Sequence, residues 1–172
     1  MAPKFYLLLI FTTLVLLAPG AQAIANDSLY NSQTAQKLDV GKLALFGPQA
    51  SKFKYDKRMV HAAEIAAVRA RAHSTSRCWH YVKDALLAAK IVETRPTSSY
   101  AKQAAAELTT SYGFRQIKEK NPYKAPVGSV IVYGGKGAGH VEFRTQRGFV
   151  SDFVSLKPSP RPLIGIYVKP RA

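Results

Sequence analysis

The chain has 172 residues, 25 of them Lys or Arg against 10 Asp or Glu, for a formal net charge of +15 and a pI near 10.1. A single cysteine excludes an internal disulfide framework, and the surplus of cations favours a polyanionic partner by long-range attraction. Nucleic acid is not expected as that partner, because no helix-turn-helix, zinc-finger or RNA-binding signature accompanies the basic pI.

In chain order, Lys4 gives a short positive start and Phe5 to Ala18 an almost unbroken apolar run. Pro19-Gly20 breaks it, and Ala21-Gln22-Ala23 supplies the small-x-small pattern of a cleavage site. That order of parts predicts a secretory signal over residues 1–23, cut after Ala23. The apolar run falls short of the roughly 20 residues a helix needs to cross a bilayer, so no stable membrane anchor is expected. The mature protein is then secreted or periplasmic, and a monomer of one domain is expected. Only Lys4 leaves with the signal. The polyanions such a protein meets are cell-wall polymers, anionic glycolipids and membrane surfaces.

Residues 24–57 read as an irregular leader arm, rich in Asn, Ser, Gln and Lys with Gly41, Gly47 and Pro48 as breakers. The domain proper is expected over 58–172. Met59, Ala62, Ala63, Ala66, Ala67 and Ala70 recur at helical spacing and predict a helix from Arg58 to His73. Ser74-Thr75-Ser76 interrupts it and offers caps for a second helix from about Arg77 to Lys90, whose inner stripe is Val82, Ala85, Leu86 and Ala89. A third is predicted from about Ser99 to Tyr112, with Gly113 at its C-terminal cap. After Pro126 the texture becomes β: Val127–Tyr133, His140–Thr145, Phe149–Val154 and Leu163–Val168, with turns at Gly134-Gly135, Gln146-Arg147-Gly148 and 158–162. Helices followed by a small antiparallel sheet predict an α+β domain.

Cys78 stands at a predicted helix start, one residue after Arg77. Both the helix N-terminus and the neighbouring guanidinium favour the thiolate, the form that attacks. The alternative is a small buried apolar residue, which most free cysteines are. Of the four histidines, His61 and His73 read as surface or packing residues. His80 points about 200° away from Cys78 around the helix. His140 follows the glycine-rich run 134–139 and opens a strand, where substrate can approach, so it is the expected base. That run precedes a strand and lacks the Lys-Ser/Thr ending of a phosphate loop. Orientation of His140 falls to Asp152 if the hairpin loop is the three residues Gln146, Arg147 and Gly148, which sets Asp152 opposite Glu142. A slip of one residue sends Asp152 to the other face. Glu142, which shares a strand face with His140, is the second candidate. Cys78-Trp79-His80 lacks the spacing of a zinc pair, and no metal is expected.

Arg77-Cys78-Trp79-His80-Tyr81-Val82 resembles the Cys-x-x-Tyr-Val segment of CHAP domains, the cysteine- and histidine-dependent amidohydrolases/peptidases. Ala125 to Tyr133 is similar to the Pro-x-x-Gly-Ser/Asp strand that precedes the histidine there, and Gly139-His140-Val141 to the Gly-His-Val that carries it. The order of these motifs is shared with the wider NlpC-type, papain-like superfamily. The resemblance covers about residues 74 to 156. It implies a papain-like α+β fold and cleavage of amide bonds in peptidoglycan without metal or cofactor. It also implies that Cys78 attacks an acyl carbon, His140 shuttles the proton and a third polar residue orients His140. The helix before Cys78 and the lack of a repeat or SH3-like binding domain depart from a phage lysin. Two competing readings stand beside this one. One is a non-catalytic cationic module that binds an anionic envelope or partner protein with Cys78 buried. The other is a protein deamidase that uses the same pair of residues.

Overall fold

The computed structural model describes residues 54–171; the signal segment 1–23 and residues 24–53 of the arm lie outside the described residues. Three helices, α1 (Arg58–Arg69), α2 (Cys78–Ala88) and α3 (Ala104–Tyr112), precede all six strands. These are β1 (Arg115–Ile117), β2 (Val130–Tyr133), β3 (His140–Arg144), β4 (Phe149–Val150), β5 (Val154–Ser155) and β6 (Leu163–Val168). Every pairing is antiparallel and the strand order is β1-β6-β2-β3-β4-β5. The domain is α+β, with helices packed on an antiparallel sheet, as the change of texture at Pro126 predicts.

Small residues decide how α1 and α2 meet. Ala62, Ala63 and Ala66 of α1 are buried together with Val82, Ala85 and Leu86 of α2, so the two backbones approach closely along matching stripes. In turn α2 packs on β3, the contact that carries Cys78, its first residue, toward His140 at the start of that strand. The central strands β2 and β3 are buried over most of their length, and Val130, Ile131, Val132, Val141, Phe143 and Ile166 form the sheet's contribution to the core.

Several elements differ from expectation. Helix α3 begins at Ala104, after a 3₁₀ turn over Ala101–Gln103, and not near Ser99, and β2 begins at Val130 and not Val127. Helix α1 ends at Arg69, short of His73, because Ala70 turns extended (ψ 145°) and the Arg71 N–H bonds to the Asp152 carbonyl at 2.7 Å. A parallel bridge between Arg71 and Phe153 thus captures the chain before another helical turn forms. The edge strand β1 lacks an alternating apolar pattern, since only Ile117 of its three residues is buried. It exists because β6 offers it a partner. The expected strand Phe149–Val154 is two short strands that fold back on each other, Phe149 opposite Ser155 and Val150 opposite Val154, with a tight turn over 151–153.

At the N-terminal edge of the described residues, Tyr55 is buried, pairs with Pro170 and donates its hydroxyl to the Val127 carbonyl at 2.8 Å. Close by, Gly128 holds φ +89°, and a Cβ there would stand 2.6 Å from the Val60 nitrogen and 2.7 Å from the Met59 carbonyl carbon. The first turn of α1 therefore lies directly on this backbone. Gly128→Ala is expected to lower stability by about 2 kcal/mol or more, read as a fall in the midpoint of thermal unfolding.

Candidate active site

The site is assembled from a helix start, a strand start and the loop that follows β5. Cys78 begins α2 and is half-buried. The loop before it is held by one buried carboxylate. Asp152 Oδ2 accepts from the Thr75 N–H (2.6 Å), the Thr75 hydroxyl (2.9 Å), the Arg77 N–H (3.2 Å) and the Ser74 hydroxyl (3.4 Å). Its other oxygen accepts from the Ser151 hydroxyl at 3.1 Å. Burial alone would raise the pKa of Asp152, but the backbone donors of Thr75 and Arg77 hold it below the usual carboxylate value. The helix that opens with Cys78 is thus fastened at its N-terminus by a charged acceptor from the sheet.

His140 opens β3 after a glycine-rich loop. Gly139 has φ +78°, and a Cβ there would clash with the Tyr133 carbonyl oxygen at 2.5 Å and the Lys102 Cβ at 2.8 Å. The Lys102 N–H bonds to the Ala138 carbonyl at 2.9 Å, so this loop is pressed between β2 and the 3₁₀ turn Ala101–Gln103. Only glycine fits the approach, and it fixes where the imidazole enters the cleft.

The carboxylate beside His140 is Glu142. His140 Nε2 lies 3.2 Å from Glu142 Oε2, and Glu142 Oε1 accepts the Tyr133 hydroxyl at 2.7 Å and the Ser159 N–H at 3.3 Å. Glu142 is 3 % exposed, so it acts where solvent screens little. The contact with Glu142 occupies Nε2 and leaves Nδ1 outside it. Burial on its own would lower the pKa of His140. Hydrogen bonds to Cys78 and Glu142, with the attraction of their charges, overcome it and push the group up from 6.5 to about 9. Burial, followed by the neighbouring Glu142 charge and the bond to it, pushes the Tyr133 phenol up as well, which keeps it a donor.

The structure brings Cys78, His140 and Glu142 to one cleft. It does not bring Asp152 to His140. The reason is register: Phe143 faces Val150 and Arg144 faces Phe149, and the Thr145 N–H bonds to the Gly148 carbonyl at 2.8 Å. The loop is therefore Gln146-Arg147, one residue shorter than expected, and Asp152 is carried to the face that meets the loop before Cys78. Two contributors were not anticipated, Tyr133 and the Ser159 N–H. A tyrosine at the end of a strand that pairs with the histidine's strand was the one available signal, since Tyr133 is paired with His140.

The cleft that these residues share holds about 670 Å³ and is also lined by Gly137, Ala138, Phe153 and Pro158 to Arg161. Among the described residues no group of three or more His, Cys, Asp or Glu side chains is placed to hold a metal ion. The charge on His140 has a direct check. Its ring protons, followed by NMR, are expected to titrate with a midpoint near 9, and the midpoint is expected to fall in Glu142→Gln because a carboxylate that favours the imidazolium is gone. Because the folded pKa is raised, this linkage stabilises the fold in full below about 6.5 and is lost as pH climbs through about 9.

Fold and site together define a class: an α+β domain in which a cysteine at a helix start faces a histidine on an adjacent strand, backed by a buried carboxylate. No protein-family model matches the chain, and no curated protein matches it. Among solved structures it is similar to a chain of the type VI native effector–immunity complex Tae3–Tai3 from Ralstonia pickettii. That match has a TM-score of 0.55 at 23 % identity and covers 66 % of this chain and 98 % of the other. A second crystal structure of the complex, with selenomethionine, aligns at TM-score 0.48 and 26 % identity over 56 % of this chain and 82 % of that one. The first of these establishes the shared fold.

Proposed function

We propose that this protein is an exported cysteine hydrolase that cleaves amide bonds of peptidoglycan stem peptides through Cys78, His140 and Glu142. The observation that carries the reading is the buried Glu142 carboxylate on His140 Nε2 (3.2 Å), with Cys78 lining the same open cleft. A histidine so held keeps a proton on Nε2 and presents Nδ1 to the sulfur, which is the polarity that nucleophilic catalysis by cysteine requires.

In the first half-reaction Cys78 Sγ attacks the acyl carbon of the stem-peptide amide, and the carbonyl π pair moves to oxygen. A helix leaves its first N–H groups without intrahelical acceptors; Asp152 takes that of Arg77, and that of Cys78 serves the oxyanion. As the tetrahedral intermediate collapses, the C–N bond breaks and His140 gives its proton to the departing amine, leaving a thioester. In the second half-reaction neutral His140 takes a proton from water as the water attacks the thioester. The carboxylic acid leaves and Cys78 is restored. Glu142 stays ionised throughout and steadies the imidazolium, while Tyr133 and the Ser159 N–H fix the carboxylate.

The motif order Cys78, Gly128-Ser129, Gly139-His140 supports amide substrates of the cell wall. The fold shared with a chain of an effector–immunity complex supports an attack on the envelope of another cell. The signal pattern read over residues 1–23 supports export, and the surplus of Lys and Arg supplies attraction to an anionic envelope. No helix among the described residues is long and apolar enough to cross a membrane.

The test is digestion of purified peptidoglycan followed by mass spectrometry of the released fragments. New amine and carboxyl ends at one stem-peptide bond are expected, and alkylation of the protein's thiol beforehand is expected to prevent their release. An undigested sacculus beside an unreactive thiol would return the protein to the class of cationic binding modules.

A further inference from the structure

The cleft that contains Cys78 is lined by three cations, Lys136, Lys157 and Arg161, and by one carboxylate, Glu142. Both oxygens of that carboxylate are already committed to Tyr133, Ser159 and His140. None of the three cations forms an ion pair with a carboxylate among the described residues. We propose that they form an anion-reading subsite, which selects amide substrates bearing a free carboxylate beside the scissile bond. The proposal rests on the hydrolase reading of the cleft and adds to it which substrates are taken.

The two loops that carry these cations are fastened to each other. Arg161 Nη1 donates to the Lys136 carbonyl at 2.8 Å, and the Gly134 N–H donates to the Pro162 carbonyl at 2.8 Å, so the loops 134–139 and 157–162 are stitched together. Ser159, between Lys157 and Arg161, bonds through its N–H to Glu142, the carboxylate that orients His140. Pro158, Pro160 and Pro162 restrict the backbone between these points. Arg161 spends one donor on Lys136 and keeps others free in the planar fork that matches a carboxylate. Lys136 and Lys157 add two further positive charges to the cleft lining. All three are exposed, so they act through a solvent-screened field that favours a carboxylate over a neutral or cationic group in the cleft. Peptidoglycan stem peptides contain such carboxylates, and their amidated forms do not.

Two measurements on the full chain separate this proposal from the hydrolase reading. The first compares stem tetrapeptides carrying free carboxylates with the same peptides carrying carboxamides. The wild type is expected to favour the carboxylate form by about tenfold or more in kcat/KM, mainly through KM. Lys157→Ala and Arg161→Ala are expected to bring the two forms together, and Arg161→Lys to restore part of the difference. The second needs no turnover. Iodoacetate and iodoacetamide both form an S–C bond at Cys78 and expel iodide, but only iodoacetate is an anion. The ratio of their rates at Cys78 is expected to fall about threefold or more in Lys136→Ala/Lys157→Ala relative to wild type, and to fall with added salt. Lys157 contributes only its backbone to the loop's bonds, so loss of its side chain leaves the loop in place. Peptides left uncut with the alkylation ratio still sensitive to the cations would defeat the hydrolase reading and leave the subsite standing. An alkylation ratio indifferent to Lys136 and Lys157, equal rates on carboxylate and carboxamide peptides in the wild type, or a Cys78 that neither reagent reaches would overturn the subsite.

Discussion

Substitution of Cys78 by Ser is expected to lower the rate of stem-peptide cleavage by about 10⁴-fold or more while the domain remains folded. The size of the effect follows from what sulfur supplies. An imidazolium at His140, whose pKa is pushed up to about 9, stands beside the sulfur as a proton donor across neutral pH. A serine hydroxyl in the same place is too weak an acid to exist as the anion beside an imidazolium. His140 would have to act as a base, whereas Cys78 and Glu142 hold it as an acid. The change is nearly isosteric and Cys78 is not in the buried core, so the thermal midpoint should move little. Residual activity within tenfold of wild type would remove Cys78 from the chemistry. It would favour the cationic binding module, whose affinity for an envelope would not depend on the sulfur. Release of ammonia from glutamine side chains, lost in the same variant, would identify a deamidase.

How far the site could be read from sequence depends on the kind of information each residue carries. Cys78 and His140 are legible because local signals place them: a lone cysteine after a Ser-Thr-Ser-Arg cap region, and a histidine between a glycine run and an alternating strand. Helices α2 and α3 are legible for the same reason, and Gly113 holds the left-handed φ of +65° expected of its cap. Glu142 and Asp152 are not separable in this way. Which one meets His140 depends on whether the β3–β4 loop has two residues or three. Gln146-Arg147-Gly148 admits both, because Gly148 fits the extra left-handed position as readily as the strand end. The choice was made by tertiary contacts that no local pattern records. Asp152 found the N–H groups of Thr75 and Arg77, and Arg71 found the Asp152 carbonyl. The same long-range pairing shortened α1 and folded the expected strand at 149–154 back on itself. Strand β1 was invisible because a polar edge strand takes its identity from its neighbour.

The division of labour between those two carboxylates yields the last expected result, a pair of variants that fail differently. Asp152→Ala is expected to cost about 2–4 kcal/mol of stability, since it strands the Thr75 and Arg77 N–H groups and frees the loop that sets the start of α2. Because its pKa is lowered in the fold, the stability it supplies is present above the unfolded value near 3.9 and is lost as pH falls through the lowered one. Its variant should therefore lose the wild type's tolerance of neutral conditions relative to strong acid, with the gap in thermal midpoint narrowing as pH falls. The folded fraction should still cleave with an unshifted pH profile. Glu142→Gln is expected to do the reverse. Its amide can offer its one oxygen to Tyr133 or to His140, not to both, and the charge that holds the imidazolium is gone. The rate should fall about 10²–10³-fold, and the alkaline limb of kcat/KM, set near 9 by loss of the His140 proton, should move to lower pH. The decisive measurement is that limb in the two variants. A shift in Asp152→Ala with none in Glu142→Gln would return the orienting role to Asp152; the opposite pattern would leave Glu142 as the group that fixes the proton on His140 and Asp152 as the group that fixes Cys78 in space.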